Sequence, residues 1–237
     1  MRLALLHGNA GSSADWNEVV ANPALKDFQC LTPVLWDYFR ETRRHGLEDW
    51  ADWFCDGLGA SSKTLIAGYS LGGRLALHAL LARPRLFAGA VIVSAHTGLA
   101  DSRAREERLA ADRTWSDLAA SDWAGFLEKW ERQPVFSGSA KLQDRGALST
   151  WRVEISASFD AWSLGRQENL LPRLNEIHCP VLWVSGRRDD RFTQLARRAA
   201  LAADGEHVIV ESAGHRVPAD CPSGLAAVIR DFVQDHL

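Results

Sequence analysis

The segment Gly68-Tyr69-Ser70-Leu71-Gly72 constrains this chain more than any other. It follows an apolar run at residues 64–67 and opens an amphipathic stretch over Leu71–Ala82. A serine flanked by glycines at a strand-to-helix junction is the pattern of a sharp, strained turn that presents a hydroxyl at the edge of a sheet. The glycines supply the room that such a turn needs. Gly73 adds a further small residue where helix and sheet must approach closely. The pattern predicts an activated serine at Ser70.

The rest of the chain supplies a sheet for that turn to sit on. Short apolar runs at residues 3–6, 64–67, 90–93, 181–184 and 207–210 each end near Gly or Ser. Runs of this length, bounded in this way, read as buried parallel strands. A weaker strand is predicted near 28–32. Between them, residues 71–82, 192–203 and 223–233 read as helices, and Pro84 and Pro180 mark element boundaries. Strand and helix in alternation predict an α/β fold with a mainly parallel sheet of about six strands. Residues 97–174 break the alternation: they are rich in Arg, Trp and Ala and read as several helices. The expected organisation is a core of residues 1–96 and 175–237 with a helical lid, 97–174, above the strands' C-terminal edge, where such sheets bind ligands.

A serine that does chemistry needs a base and an orienting acid. Of eight histidines, His215 in Ala213-Gly214-His215 stands just after the last strand and completes the chain order Ser, Asp, His. His45, His78, His178 and His236 lack a strand-end position. His96 follows a strand and lies near the site, and His7 reads as a loop organiser. The acid should follow the preceding strand, within Ser185-Gly186-Arg187-Arg188-Asp189-Asp190. Asp189 is the first acid after the turn; Asp190 is the alternative, otherwise a helix cap or an ion-pair member. Developing negative charge requires two backbone N–H donors. Leu71, after the serine, supplies one; the loop after His7-Gly8 supplies the other, assigned to Asn9 with Ala10 as its neighbouring alternative. Arg74, one turn beyond Ser70, is placed to meet an anion. Arg108, Arg113 and Arg152 lie in the helical insertion.

Composition excludes several classes. A net charge of −3 gives no sign of a nucleic-acid partner. The apolar run after Met1 is too short for a secretory signal, and no stretch reaches the roughly 18 apolar residues of a membrane span. Four scattered cysteines form no metal-ligand spacing and are expected to be free thiols in a reducing cytoplasm. Ten tryptophans in 237 residues predict aromatic packing, a large apolar pocket, or both.

Several segments together resemble one family. Gly68 to Arg74 resembles the nucleophile segment of 2-succinyl-6-hydroxy-2,4-cyclohexadiene-1-carboxylate synthases, the menaquinone-pathway members of the α/β-hydrolases. Leu6-His7-Gly8 with Asp15-Trp16 resembles their oxyanion loop, and Ser94-Ala95-His96-Thr97-Gly98-Leu99 their entry to the lid. The spaced Arg108, Asp112 and Trp115, Trp130 before Gln133-Pro134-Val135-Phe136, Leu164-Gly165-Arg166-Gln167, and Gly186 to Phe192 complete the likeness. The resemblance implies an α/β-hydrolase fold; because the sequence opens on the strand carrying His-Gly, the family's first two strands are expected to be absent. It implies elimination of pyruvate from a polycarboxylated cyclohexene, with Ser70, His215 and Asp189 as base system. It places Tyr69, Arg74, Arg108 and Trp130 against substrate, with no cofactor or metal. Two departures stand out: Leu31-Thr32-Pro33-Val34-Leu35-Trp36-Asp37 replaces an Asp-Leu-Pro-Gly-His-Gly-like loop, and Asn9 replaces an apolar residue.

The same triad also suits a serine hydrolase of small esters, thioesters or C–C bonds, and the scaffold could serve as a non-catalytic ligand receptor. The sequence leaves these alternatives open, along with the oligomeric state.

Overall fold

The computed structural model describes residues 1–43, 45–59, 63–142 and 145–237. Gln143 and Asp144, within the expected lid, lie outside the described residues.

Six strands form one parallel sheet: β1 Arg2–Leu6, β2 Gln29–Leu31, β3 Thr64–Tyr69, β4 Phe87–Val93, β5 Val181–Gly186 and β6 Glu206–Val210, in the order β2-β1-β3-β4-β5-β6. The helices are α1 Asn17–Val20, α2 Asp37–Glu41, α3 Leu47–Leu58, α4 Leu71–Ala82, α5 Ser102–Ser121, α6 Trp123–Glu131, α7 Arg152–Ala161, α8 Asp190–Ala202, α9 Val217–Asp220 and α10 Pro222–His236. Every strand predicted from an apolar run is present, including the weak one. β3 and β4 are longer than the apolar pattern indicates. Gly68 and Tyr69 still pair with Ile92 and Val93, so the strand runs to the serine itself.

Side-chain alternation builds two cores. Leu3 and Leu5 of β1, with Leu65 and Ala67 of β3, pack toward Trp16 and the Leu225–Ile229–Phe232 face of α10. Ala4, Leu6 and Ile66 pack on the other side, against Leu75 and Ala79 of α4 and Trp50 of α3. The chain passes from β1 outward to β2, then returns to β3 on the far side of β1. That reversal puts the loops after β1 and β3 across a crevice from each other, the position where open α/β sheets take ligands.

The helices between β4 and β5 close over this crevice. α5 packs on α7, and an aromatic cluster knits them together: Trp115 lies 5.2 Å from Trp130, and Trp130 5.2 Å from Phe159. Trp162 then docks the insertion onto the core, 4.6 Å from Phe39 and stacked on Trp36 and Tyr38. The segment replacing the expected glycine-rich loop thus carries aromatic anchors for the insertion. Trp16, Trp36, Trp50, Trp162 and Trp183 are fully buried, which accounts for half of the tryptophans as packing. Among the described residues no helix is long and apolar enough to cross a membrane.

Candidate active site

Ser70 sits between β3 and α4 with φ 53° and ψ −108°, a conformation that costs a non-glycine residue strain. Close packing forces the turn. A methyl group at Gly68 would strike the Gly72 carbonyl, and one at Gly72 would strike the carbonyl of Leu6. The glycines are therefore needed for approach of α4 to the sheet.

A cavity of about 410 Å³ opens above the turn, and Ser70, Tyr69, Arg74, Arg108, Trp130 and His215 all line it. His215 is buried, and its Nδ1 donates to Asp189 Oδ2 at 2.7 Å. A carboxylate on Nδ1 fixes the tautomer and leaves Nε2 as acceptor. The ring is boxed by Phe192 at 4.4 Å, Tyr69 at 5.6 Å and Phe136 at 5.8 Å. The described residues show no hydrogen bond between Ser70 and His215; contacts of this kind commonly tighten only when substrate is bound. Asp189 has a second role: its Oδ1 accepts from Phe192 N at 3.2 Å and caps α8. Asp190, in the helix's first turn, is exposed and, among the described residues, forms no hydrogen bond or ion pair with His215.

The loop after β1 is held by His7. Its Nδ1 donates to Gly8 O at 2.9 Å and its Nε2 accepts from Leu35 N at 3.1 Å. Burial lowers its pKa to about 4, so it stays neutral and pins the loop. Beyond it Ala10 takes a positive φ of 47°. Ala10 N donates to Asn9 Oδ1 at 2.9 Å. The amides of Asn9 and Leu71, by contrast, donate to no acceptor among the described residues. Leu71 is also the first residue of α4, where the helix dipole favours negative charge.

Arg74 is buried, with Nε donating to Gln167 Oε1 at 2.6 Å and one terminal nitrogen to Trp162 O at 2.7 Å. Both partners are neutral, and no carboxylate pairs with it among the described residues. Burial, then the neighbouring Arg108, lower its pKa to about 9, which still leaves a cation at neutral pH. Arg108 differs: its Nε contacts both oxygens of buried Asp112 at 2.9 Å, and Ser163 Oγ donates to the same carboxylate at 2.7 Å. Its terminal nitrogens remain free of hydrogen bonds among the described residues.

Arg113 and Arg152 are exposed and line no part of this cavity. The sequence-based list of site residues omitted Arg191, Phe192 and Phe136, which do line it. Their place in segments already singled out for resemblance was the available signal.

Residues 3–228 match the profile described as the alpha/beta hydrolase family. A 2-succinyl-6-hydroxy-2,4-cyclohexadiene-1-carboxylate synthase from Serratia proteamaculans is 36% identical over 175 residues, 71% of this chain and 67% of that protein. The synthase of that name from Escherichia coli O1:K1 / APEC is 29% identical over 248 residues, 98% of this chain and 93% of that protein. The structure of MenH from S. aureus superposes with a TM-score of 0.82 at 20% identity, covering 99% of this chain and 94% of that one.

Proposed function

Because this chain belongs to the alpha/beta hydrolase family and is an enzyme, we propose that it acts as a 2-succinyl-6-hydroxy-2,4-cyclohexadiene-1-carboxylate synthase, eliminating pyruvate from a polycarboxylated cyclohexene in menaquinone biosynthesis. The observation that carries the reading is Arg74: a buried cation without a carboxylate partner among the described residues, in one cavity with Ser70 and His215. A buried charge costs several kcal/mol unless something offsets it. A substrate carboxylate, held by the free end of the guanidinium, supplies that offset on binding. An uncharged ester would leave the cation unpaired.

In this reading Ser70, His215 and Asp189 form the base system. His215 Nε2 takes the Ser70 proton, and Ser70 Oγ takes the acidic C–H proton of the substrate. The electron pair left on carbon moves into the ketone of the adjoining succinyl arm as an enolate, whose oxygen is held by the amides of Asn9 and Leu71. Collapse of the enolate forms a new ring double bond, shifts the existing ring double bond along by one carbon, and so breaks the C–O bond to the enolpyruvyl group. The departing enolpyruvate gains a proton at carbon and becomes pyruvate. Protons and electrons balance without an oxidant or a covalent acyl intermediate. Arg74 and Arg108 hold carboxylates, while Tyr69 and Trp130 pack against the ring. Residues 97–174 act as the lid that keeps water from the enolate.

The test is direct assay of purified protein on the pathway intermediate, with pyruvate release followed by a coupled reduction, beside a panel of aryl esters. Pyruvate release that Ser70→Ala abolishes supports the reading. Fast ester turnover without pyruvate release reassigns the enzyme to the ester hydrolases.

A further inference from the structure

His96 lines the cavity that holds Ser70 and His215. His96 also lines a second cavity of about 290 Å³, together with Gly98, Asp101, Asn169, Leu195 and Arg198. One helix runs along both. Arg191 of α8 lines the first cavity; Leu195 and Arg198 line the second. Residues spaced by four and then three fall on one helix face, and seven residues span about 10 Å along the axis.

Neither arginine is paired with a carboxylate among the described residues. Among the described residues Arg191 and Arg198 form no ion pair and no hydrogen bond through their side chains. Other arginines of this insertion and core do pair, such as Arg216 with Glu131 and Arg166 with Asp160. Arg191 also stands in the first turn of α8, where a cation opposes the helix dipole. Its side chain reaches over the Phe192 ring, 5.7 Å from the centroid, and that ring packs on His215. Its location thus costs helix stability and gains proximity to the catalytic histidine.

His96 is the polar side chain common to both cavities. Gly98 N donates to its Nδ1 at 2.9 Å, so the neutral ring carries its proton on Nε2. Burial is the main cause that lowers its pKa to about 4, with Arg191 next and Arg198 also contributing. The ring is therefore a neutral donor lying in the field of both arginines. Asp101 is the acidic residue of the second cavity, and its Oδ1 is engaged at 2.7 Å by Ala104 N as the cap of α5.

We propose that the α8 face of Arg191, Leu195 and Arg198, with His96, which lines both cavities, is a second carboxylate subsite, separate from Arg74 and Arg108. It rests on the reading of the site as one for a polycarboxylate. Its ligand is either a remote carboxylate arm of the substrate or the small 2-oxo acid released by elimination. The shared chemistry is a carboxylate accepting from a guanidinium group and an imidazole N–H.

The experiment is calorimetric titration of the full chain with succinate and with pyruvate, for wild type and for Arg191→Gln, Arg198→Gln and Arg197→Gln. Arg197 is exposed on the same helix but lines neither cavity, so it controls for loss of charge alone. The two subsite variants should weaken binding of at least one probe by about tenfold, and Arg197→Gln should not. Kinetics on the pathway intermediate separates the sources. A raised KM with kcat unchanged identifies a substrate arm, and altered inhibition by pyruvate with KM unchanged identifies the released acid. No binding of either probe to wild type, or equal binding by wild type and both subsite variants, overturns the subsite. So does an equal loss in Arg197→Gln. Because the titrations need no turnover, loss of probe binding in an enzyme that releases no pyruvate would preserve the subsite and reject the reaction.

Discussion

The imidazole of His215 and the carboxylate of Asp189 meet at 2.7 Å in a buried pair, although 26 residues separate them in sequence. The same carboxylate caps α8 through Phe192 N, so one side chain fixes both the His215 ring and the helix that carries its aromatic wall. Asparagine caps helices as well as aspartate does. Asp189→Asn should therefore keep thermal stability close to wild type while reducing kcat by about four orders of magnitude, because the amide favours the wrong tautomer. Asp190→Asn, at an exposed position, should leave kcat within about twofold. Steady-state rates and melting temperatures of the two variants check this, and equal losses in both would remove Asp189 from the base system.

Ser70 holds φ at 53°, so the position proposed to carry the chemistry is also a strained one. Ser70→Ala should keep the strain and lose at least about three orders of magnitude in kcat. Ser70→Gly should lose activity equally but relax the backbone, with a net gain of up to about 2 kcal/mol. Chemical denaturation of both variants separates the chemical role of the hydroxyl from the conformational cost of placing it. A glycine variant less stable than the alanine variant would contradict the strain argument.

How much of this could be read from residue order depended on range. The strands were legible because burial on both faces writes continuous apolar runs, and Ser70 and His215 because each stands where such a run ends. The cradle of Arg74 was not legible. Gln167 and the Trp162 carbonyl are 93 and 88 residues away, brought in by the insertion's packing rather than by any local pattern. Arg191 was hidden for another reason: whether it faces the cavity depends on where α8 begins relative to β5. Likewise, that Asn9 rather than Ala10 keeps a free amide follows from a side-chain turn, visible only once Asn9 Oδ1 is seen to occupy Ala10 N.

Arg74 is held by two neutral acceptors in a fork geometry that an ammonium cannot reproduce. Arg74→Lys keeps the charge but loses that arrangement. It should raise KM for a polycarboxylate by about tenfold or more, with a smaller change in kcat. Arg74→Lys with wild-type KM would show that no substrate carboxylate depends on the guanidinium. Turnover of a neutral ester, if any, should be insensitive to the same change.

Acid should unfold this protein through its buried histidines. Burial is the leading cause holding His7 and His96 near pKa 4 and His78 near 3, against 6.5 for the free side chain. Above about pH 6.5 these rings are neutral in both states and add no pH dependence. As pH falls from there toward 4, the unfolded chain takes up protons that the folded one excludes, so stability declines with falling pH. His78 isolates the effect. It lies in α4, its Nε2 has no hydrogen-bond partner among the described residues, and its Nδ1 sits 3.6 Å from Glu48, whose side chain is largely exposed. His78→Leu removes a titrating group and an unsatisfied nitrogen together. The variant should be at least as stable as wild type at pH 7. Its loss of stability between pH 7 and pH 5 should be smaller by about 2 kcal/mol, one proton over roughly one and a half units. Urea unfolding at the two pH values measures the difference directly. Parallel pH profiles for variant and wild type would mean that His78 is protonated as readily in the folded state as in the unfolded one.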